Sequence, residues 1–231
     1  MSSWRWRTTR WSRRSPTRRT ARNALRTYFA DHVERRRRAA SDDLLADVVA
    51  AERSGALSAG EIPGLCLLLY IAGTETVADF IGNALVALAE HPEQRALLAA
   101  EPQRAAAAVE ELLRFESPVQ YQVRIATAPI ELHGVAIPAG SAVALLWGAA
   151  NRDERRWERT DELDLTREPR RHLAFGEGIN HCLGAPLARL QGRVVLEETL
   201  RAMPGYRLAG EPARIATHNT RGVARLALLP T

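Results

Sequence analysis

The segment that most constrains this chain lies between Ser58 and His91. It reads SAGEIPGLCLLLYIAGTETVADFIGNALVALAEH, and leucine, isoleucine, valine and alanine dominate it. Ser58-x-x-Glu61 is a capping box, a pairing that satisfies the orphan amides of a helix start. His91-Pro92 closes the stretch, since proline cannot continue a helix. The segment is expected to form one long apolar helix from Ser58 to about Ala89, with Pro63 delaying or bending its first turn. A helix this apolar needs cover from other elements, which predicts a mainly α fold.

The flanking sequence supplies that cover. Leu25, Tyr28, Phe29 and Val33 recur at helical spacing within residues 22–38, and Arg35–Arg38 end that helix with charges that suit its dipole. Ser41-Asp42-Asp43 offers a cap for a short helix over Leu44–Arg53, which Gly55 ends. Further helices are expected over Glu93–Ala100 and Arg104–Phe115, the latter broken by Ser117-Pro118. From Val119 the pattern changes to short strands around Arg124–Ala126, Ile130–Leu132 and Ala142–Leu146. His133-Gly134 and Pro138-Ala139-Gly140 mark the turns between them. Residues 151–171 are polar and irregular. A last helix is expected from about Ala185 to Ala202, stopped by Pro204-Gly205, and the tail holds short strand-like pieces.

Composition narrows the class. The chain has 231 residues, 46% of them hydrophobic, enough for one sizeable core or two small ones. Two cysteines cannot build a disulfide framework, which points to a reducing, cytoplasmic setting. All 32 basic residues are arginine, and nine fall within residues 1–26, before the first acid, Asp31. Residues 1–20 therefore read as a basic leader, with residues 21–231 as the folded domain. The leader has no apolar h-region and is not a secretory signal. Its readings are a nucleic-acid or partner-binding arm, an organelle-targeting peptide, a disordered extension, or sequence from a wrong start or frame. No membrane span is expected, because the apolar run Leu65–Gly73 is short and Glu75 and Asp79 follow it.

Three short motifs carry chemistry. The first is FGEGINHCLGAPLARL, residues 175–190, where Gly176, Gly178 and Gly184 surround Cys182 at the mouth of a helix. A lone cysteine is often only a small core hydrophobe. Here the glycines let backbone approach a ligand closely, and helix-start amides stabilise a thiolate. Zinc would need more converging ligands than Cys182 and Cys66 offer. A single thiolate suits an axial ligand to haem iron. The second motif, Ala72-Gly73-Thr74-Glu75-Thr76, lies inside the long helix. Its small residues leave space on one face, and Glu75 with Thr76 could pass protons to a bound oxygen species. By itself the motif reads first as a packing glycine and a threonine, Thr76, bonded to the Ala72 carbonyl of its own turn. The third, Glu111-x-x-Arg114, reads by itself as an exposed helix salt bridge.

In this order the three motifs resemble those of the cytochrome P450 family. AEHPEQ, SPVQ, ANRDE, RHLAFG and CLGAPLARL are similar to sequences of its soluble bacterial members. The resemblance covers about residues 20–231 and implies a mainly α fold with small β-sheet pieces, the C-terminal, haem-binding portion of the P450 fold. It implies a haem-thiolate monooxygenase that inserts one atom of O2 into a small organic substrate. Its cofactor would be haem b, and its electrons would come from NAD(P)H through a ferredoxin reductase and a ferredoxin.

By resemblance Cys182 is the iron ligand, with Phe175, Gly176, Gly178 and Gly184 shaping its loop. Ala72 and Gly73 line the distal face, and Glu75 and Thr76 serve oxygen binding and proton delivery. Glu111 and Arg114 lock the core, with Arg167 as third partner. Arg124 pairs with a haem propionate, and Leu69, Val119 and Tyr121 face substrate. Arg170, Arg171, Arg189 and Arg193 could meet an acidic ferredoxin or simply be solvated. Two features depart from the family. Asn180 stands where a propionate-binding histidine is usual, with His181 beside the ligand instead. The half of the family fold that precedes residues 22–38 has no counterpart here. The alternatives are a partial P450 that binds haem poorly and is inactive, one completed by a separate N-terminal portion, and a protein acting through its arginine leader, for which nucleic acid is the less favoured partner.

Overall fold

The computed structural model describes residues 18–39, 41–168 and 170–230. The expected leader lies outside the described residues, except that Arg18–Thr20 belong to the first helix. The chain divides between Glu75 and Thr76, inside one continuous helix, into two compact units.

In the first unit, α1 (Arg18–Arg38) packs on α2 (Leu44–Arg53), and the first turns of α3 (Ile62–Glu90) complete it. Asp43 caps α2 by accepting a hydrogen bond from the Ala46 amide at 3.0 Å. Arg36 donates to the same carboxylate at 2.7 Å and, as the main cause, holds it well below the usual carboxylate range, at about 2. Val33, Val48, Val49, Ile62 and Cys66 form a small apolar core. Helix α3 starts at Ile62, later than the capping box predicts. The Glu61 carboxylate accepts from both the amide and the hydroxyl of Ser58, at 2.8 and 2.7 Å, so Ser58 donates where a full capping box would have it accept.

In the second unit, the rest of α3 packs with α4 (Pro92–Ala100), α5 (Ala105–Phe115) and α7 (Ala185–Ala202). Leu88, Leu98, Val109, Leu112, Leu196 and Tyr206 are buried there. Each fully buried aliphatic side chain is worth about 1.5–3 kcal/mol over an exposed one. The Tyr206 hydroxyl reaches the Leu85 carbonyl at 2.9 Å, which satisfies the one polar atom this ring brings inside. Gly192 of α7 permits close approach, because a Cβ there would stand 2.6 Å from the Phe80 ring.

Strands β1 (Gln122–Ile125) and β4 (Ala142–Leu145) pair antiparallel, as do β2 (Ile130–Leu132) and β3 (Val135–Ile137). The tail forms β5 (Arg207–Leu208) with β8 (Leu228–Leu229), and β6 (Ala213–Arg214) with β7 (Val223–Arg225). A short helix, α6 (Trp147–Ala150), follows β4.

The length argument against a membrane span needs correction. α3 spans 29 residues, and its most apolar window has a mean hydropathy of 1.5, enough by length and composition alone to cross a bilayer. The helix runs unbroken past Gly73, Glu75 and Asp79, so apolar turns on both sides join. The second half of α3 meets protein, however. Asn83 donates to the Arg221 carbonyl at 2.8 Å and accepts from Arg214 at 2.7 Å.

Candidate haem-thiolate site

The cysteine loop is held by its own backbone. The Cys182 amide donates to the Phe175 carbonyl at 2.9 Å, closing the bend across a 3-10 turn at Gly178–Asn180. Gly176 and Gly178 have φ of +70° and +73°, where any larger residue would be strained. Helix α7 begins three residues after Cys182.

The side chains of this loop face outward. Cys182 is exposed, and its neighbours Ile179 and Leu183 have relative exposures of 102% and 85%. Cys66 is the opposite case: it sits in the first unit's core, and burial pushes its thiol up from the ordinary value.

Behind the loop lies a cluster that sequence reasoning missed. Glu110 of α5 accepts a two-point fork from Arg189 of α7, at 2.8 and 2.9 Å. The Arg189 guanidinium lies 4.5 Å from the centre of the Phe175 ring. His172 Nε2 stands 3.3 Å from the Glu110 carboxylate, within ion-pair reach but short of a well-formed hydrogen bond. Burial alone would raise the Glu110 pKa; His172 and Arg189 outweigh it and hold it at about 2. The only sequence signal was the doublet Glu110-Glu111, and partners 62 and 79 residues away leave no local pattern.

Glu111 and Arg114 are not an exposed pair. Arg114 is 1% exposed and donates to both oxygens of Glu111 at 2.7 and 2.8 Å. Its remaining N–H groups reach the carbonyls of Asn151, Thr160 and Glu162. Arg167 donates to Glu111 at 3.2 Å, and the Asp164 amide to the same oxygen at 3.1 Å. The cluster ties α5 to the irregular segment 151–167.

The other predicted residues are spread out. Ala72, Gly73 and Glu75 lie exposed on α3 within the first unit, as does half-buried Leu69; Thr76 opens the second. Thr74 also bonds to its own turn, donating to the Tyr70 carbonyl at 2.7 Å. Val119 bridges to Thr220, and the Tyr121 ring lies 6.4 Å from that of His218. Arg124 is exposed on β1 and donates to its neighbour Val123's carbonyl, with no carboxylate paired to it among the described residues. Asn180 is exposed at the end of the 3-10 turn. Of the four loop-flanking arginines, Arg171 pairs with Glu177, Arg189 with Glu110 and Arg193 with Glu197, so three are engaged within the chain.

The cysteine loop fits a haem. Among the described residues no three His, Cys, Asp or Glu side chains gather as a metal-ion site. The single exposed thiol of Cys182 could serve iron that brings its other ligands in a ring. The open space around Gly178 and the bare apolar side chains beside Cys182 suit a flat, apolar group.

Comparison with known proteins agrees. Residues 6–203 match the family model described as cytochrome P450. The biotin biosynthesis cytochrome P450 of Bacillus subtilis (strain 168) is 40% identical over 79% of this chain and 46% of its own length. The vitamin D(3) 25-hydroxylase of Pseudonocardia autotrophica is 44% identical over 80% of this chain and 47% of its own. Among solved structures, P450BioI in complex with an acyl carrier protein matches with a TM-score of 0.86 at 36% identity, over 90% of this chain and 54% of that one. CYP109Q5 from Chondromyces apiculatus matches with a TM-score of 0.87 at 40% identity, over 92% and 55%. The chain spans about half the length of the curated relatives it matches. It belongs to the cytochrome P450 family.

Proposed function

We propose that this chain carries the haem-thiolate part of a P450 monooxygenase acting on a small organic substrate. The observation that carries the reading is Cys182: an exposed thiol, fixed by the Phe175 carbonyl at the start of α7, in a loop whose glycines keep its surroundings open. The haem b of such an enzyme, when bound, supplies O2 activation. One oxygen atom enters the substrate and the other leaves as water, with two electrons and two protons consumed. A ferredoxin would deliver the electrons, replenished by its reductase from NAD(P)H. A reducing cytoplasm suits the reading because it keeps Cys182 a free thiol.

The chain's own residues would divide the work. Cys182 offers its sulfur to the metal, and Phe175 packs beside it above the Gly176–Gly178 bend, with Gly184 leaving room behind. Glu75 and Thr76 would hold and pass a proton at their side-chain oxygens, with Ala72 and Gly73 leaving space beside them. The Arg124 fork would take a propionate. Asn180 can offer the other propionate a hydrogen bond but no charge. Leu69, Val119 and Tyr121 would contact substrate. Glu111, Arg114 and Arg167 hold the fold and take no part in the chemistry.

A second reading is a chain that does not hold haem by itself and is inactive alone. It is favoured by the half-length match to relatives and by Leu187, Leu190 and Val194, which lie exposed along one side of α7. In that case a separate portion with the rest of the family fold would restore binding. The test is to add haem to the purified chain, reduce it and bind carbon monoxide. A thiolate-type, red-shifted Soret band that Cys182→Ser abolishes supports the first reading. No haem uptake by the chain alone supports the second.

A further inference from the structure

We infer that Glu110 is a positioning residue for the cysteine loop. Together with Arg189 and His172 it fixes Phe175, and the Phe175 carbonyl in turn fixes the Cys182 amide. The inference deepens the haem-thiolate reading and takes its functional meaning from it.

The Glu110 carboxylate is only 20% exposed. A guanidinium fork on a carboxylate makes two parallel bonds and resists rotation. The fork from Arg189 therefore sets the angle between α5 and the first turns of α7, where the loop ends. His172 anchors the other end, just before the loop. Its Nδ1 accepts the Ala174 amide at 3.2 Å, which places the ring proton on Nε2, the nitrogen that faces Glu110. One carboxylate thus faces both ends of segment 172–189, bonded to Arg189 and within ion-pair reach of His172.

Phe175 sits between the two holders. The Arg189 guanidinium lies 4.5 Å from its ring centre, and the His172 ring lies 5.7 Å away at a 37° tilt. Its carbonyl makes the bond that closes the loop on Cys182. An ion pair serving stability alone has no need to bracket the loop's phenylalanine. Residue 111 shows the contrast: its carboxylate turns into the buried arginine cluster and has no partner in the loop. Adjacent helix positions face about 100° apart, so two neighbouring acids can serve two regions.

The test is site-resolved hydrogen exchange on the whole chain, with Glu110→Ala and Glu110→Gln, and Arg193→Ala as a surface ion-pair control on α7, the helix of Arg189. Glu110→Ala is expected to speed exchange at the Cys182 amide by about tenfold or more, while buried helix amides such as Leu112 and Leu196 change less than about twofold. Glu110→Gln should fall between, and Arg193→Ala should leave Cys182 unchanged. In haem-loaded protein, Glu110→Ala should also reduce the thiolate-type share of the carbon monoxide complex. Unchanged exchange at Cys182 in a folded variant would overturn the inference, and so would equal acceleration at every amide. If Glu110→Ala does not fold, Arg189→Lys, which keeps the charge and removes the fork, carries the same expectations. Selective loosening of the loop in a chain that takes up no haem would support the positioning role while counting against the haem-thiolate reading.

Discussion

The cluster around Glu111 and the loop around Cys182 treat exposure in opposite ways. At Glu111, two arginines, three carbonyls and a backbone amide close every valence of a buried charge pair. At Cys182 the backbone is bonded as tightly as a turn allows, yet the sulfur and the flanking Ile179 and Leu183 are left in the open. The first arrangement spends all its polar groups on the fold. The second keeps its sulfur exposed on a fixed backbone, as the proposed ligand role requires. A substitution in each should therefore separate stability from haem binding.

The largest effect on stability belongs to the buried cluster. Arg114→Ala leaves Glu111 charged and buried, and should cost about 3–5 kcal/mol in a urea titration. Loss of under 1 kcal/mol would remove the contrast. Next, Gly192→Ala forces a methyl group against Phe80 and should cost about 1–3 kcal/mol by overpacking. Cys182→Ser should change the stability of the haem-free chain least, by less than about 0.5 kcal/mol, because the sulfur packs on little. The same change should abolish thiolate-type haem binding.

A pH titration sharpens the comparison from the side of Glu110. Its pKa is about 2 when folded against an ordinary 4.5, with Arg189 and His172 facing it and Glu111 next to it in sequence. A folded-state pKa below the unfolded one gives stability that is complete above about 4.5 and is lost as pH falls towards 2. The wild-type chain should thus lose stability over that range more steeply than Glu110→Gln. Equal slopes would place the ion pair outside the stable fold.

Much of this was legible in the sequence because it is local. The Asp43 cap set the start of α2, and the glycine bend followed by Ala185 set the start of α7, so both helices appear where read. The cysteine loop was legible because positive φ demands glycine at fixed places. What was not legible is long-range. The same i,i+3 spacing serves an exposed pair and a buried one, and only the carbonyls of segment 151–162 decide for Glu111 and Arg114. Glu110 gave no signal, since its partners come from the far side of the irregular segment. The start of α3 slipped to Ile62 because Ser58 donates to Glu61 and does not cap the helix.

The proposed function stands or falls on whether Cys182 gives its sulfur to haem iron. X-ray absorption at the iron edge of the haem-loaded chain tests it most directly. One sulfur scatterer is expected in the first coordination shell, absent in Cys182→Ser and present in Cys66→Ser. A shell of nitrogen and oxygen alone in the wild-type chain, or a sulfur that survives Cys182→Ser, would contradict it.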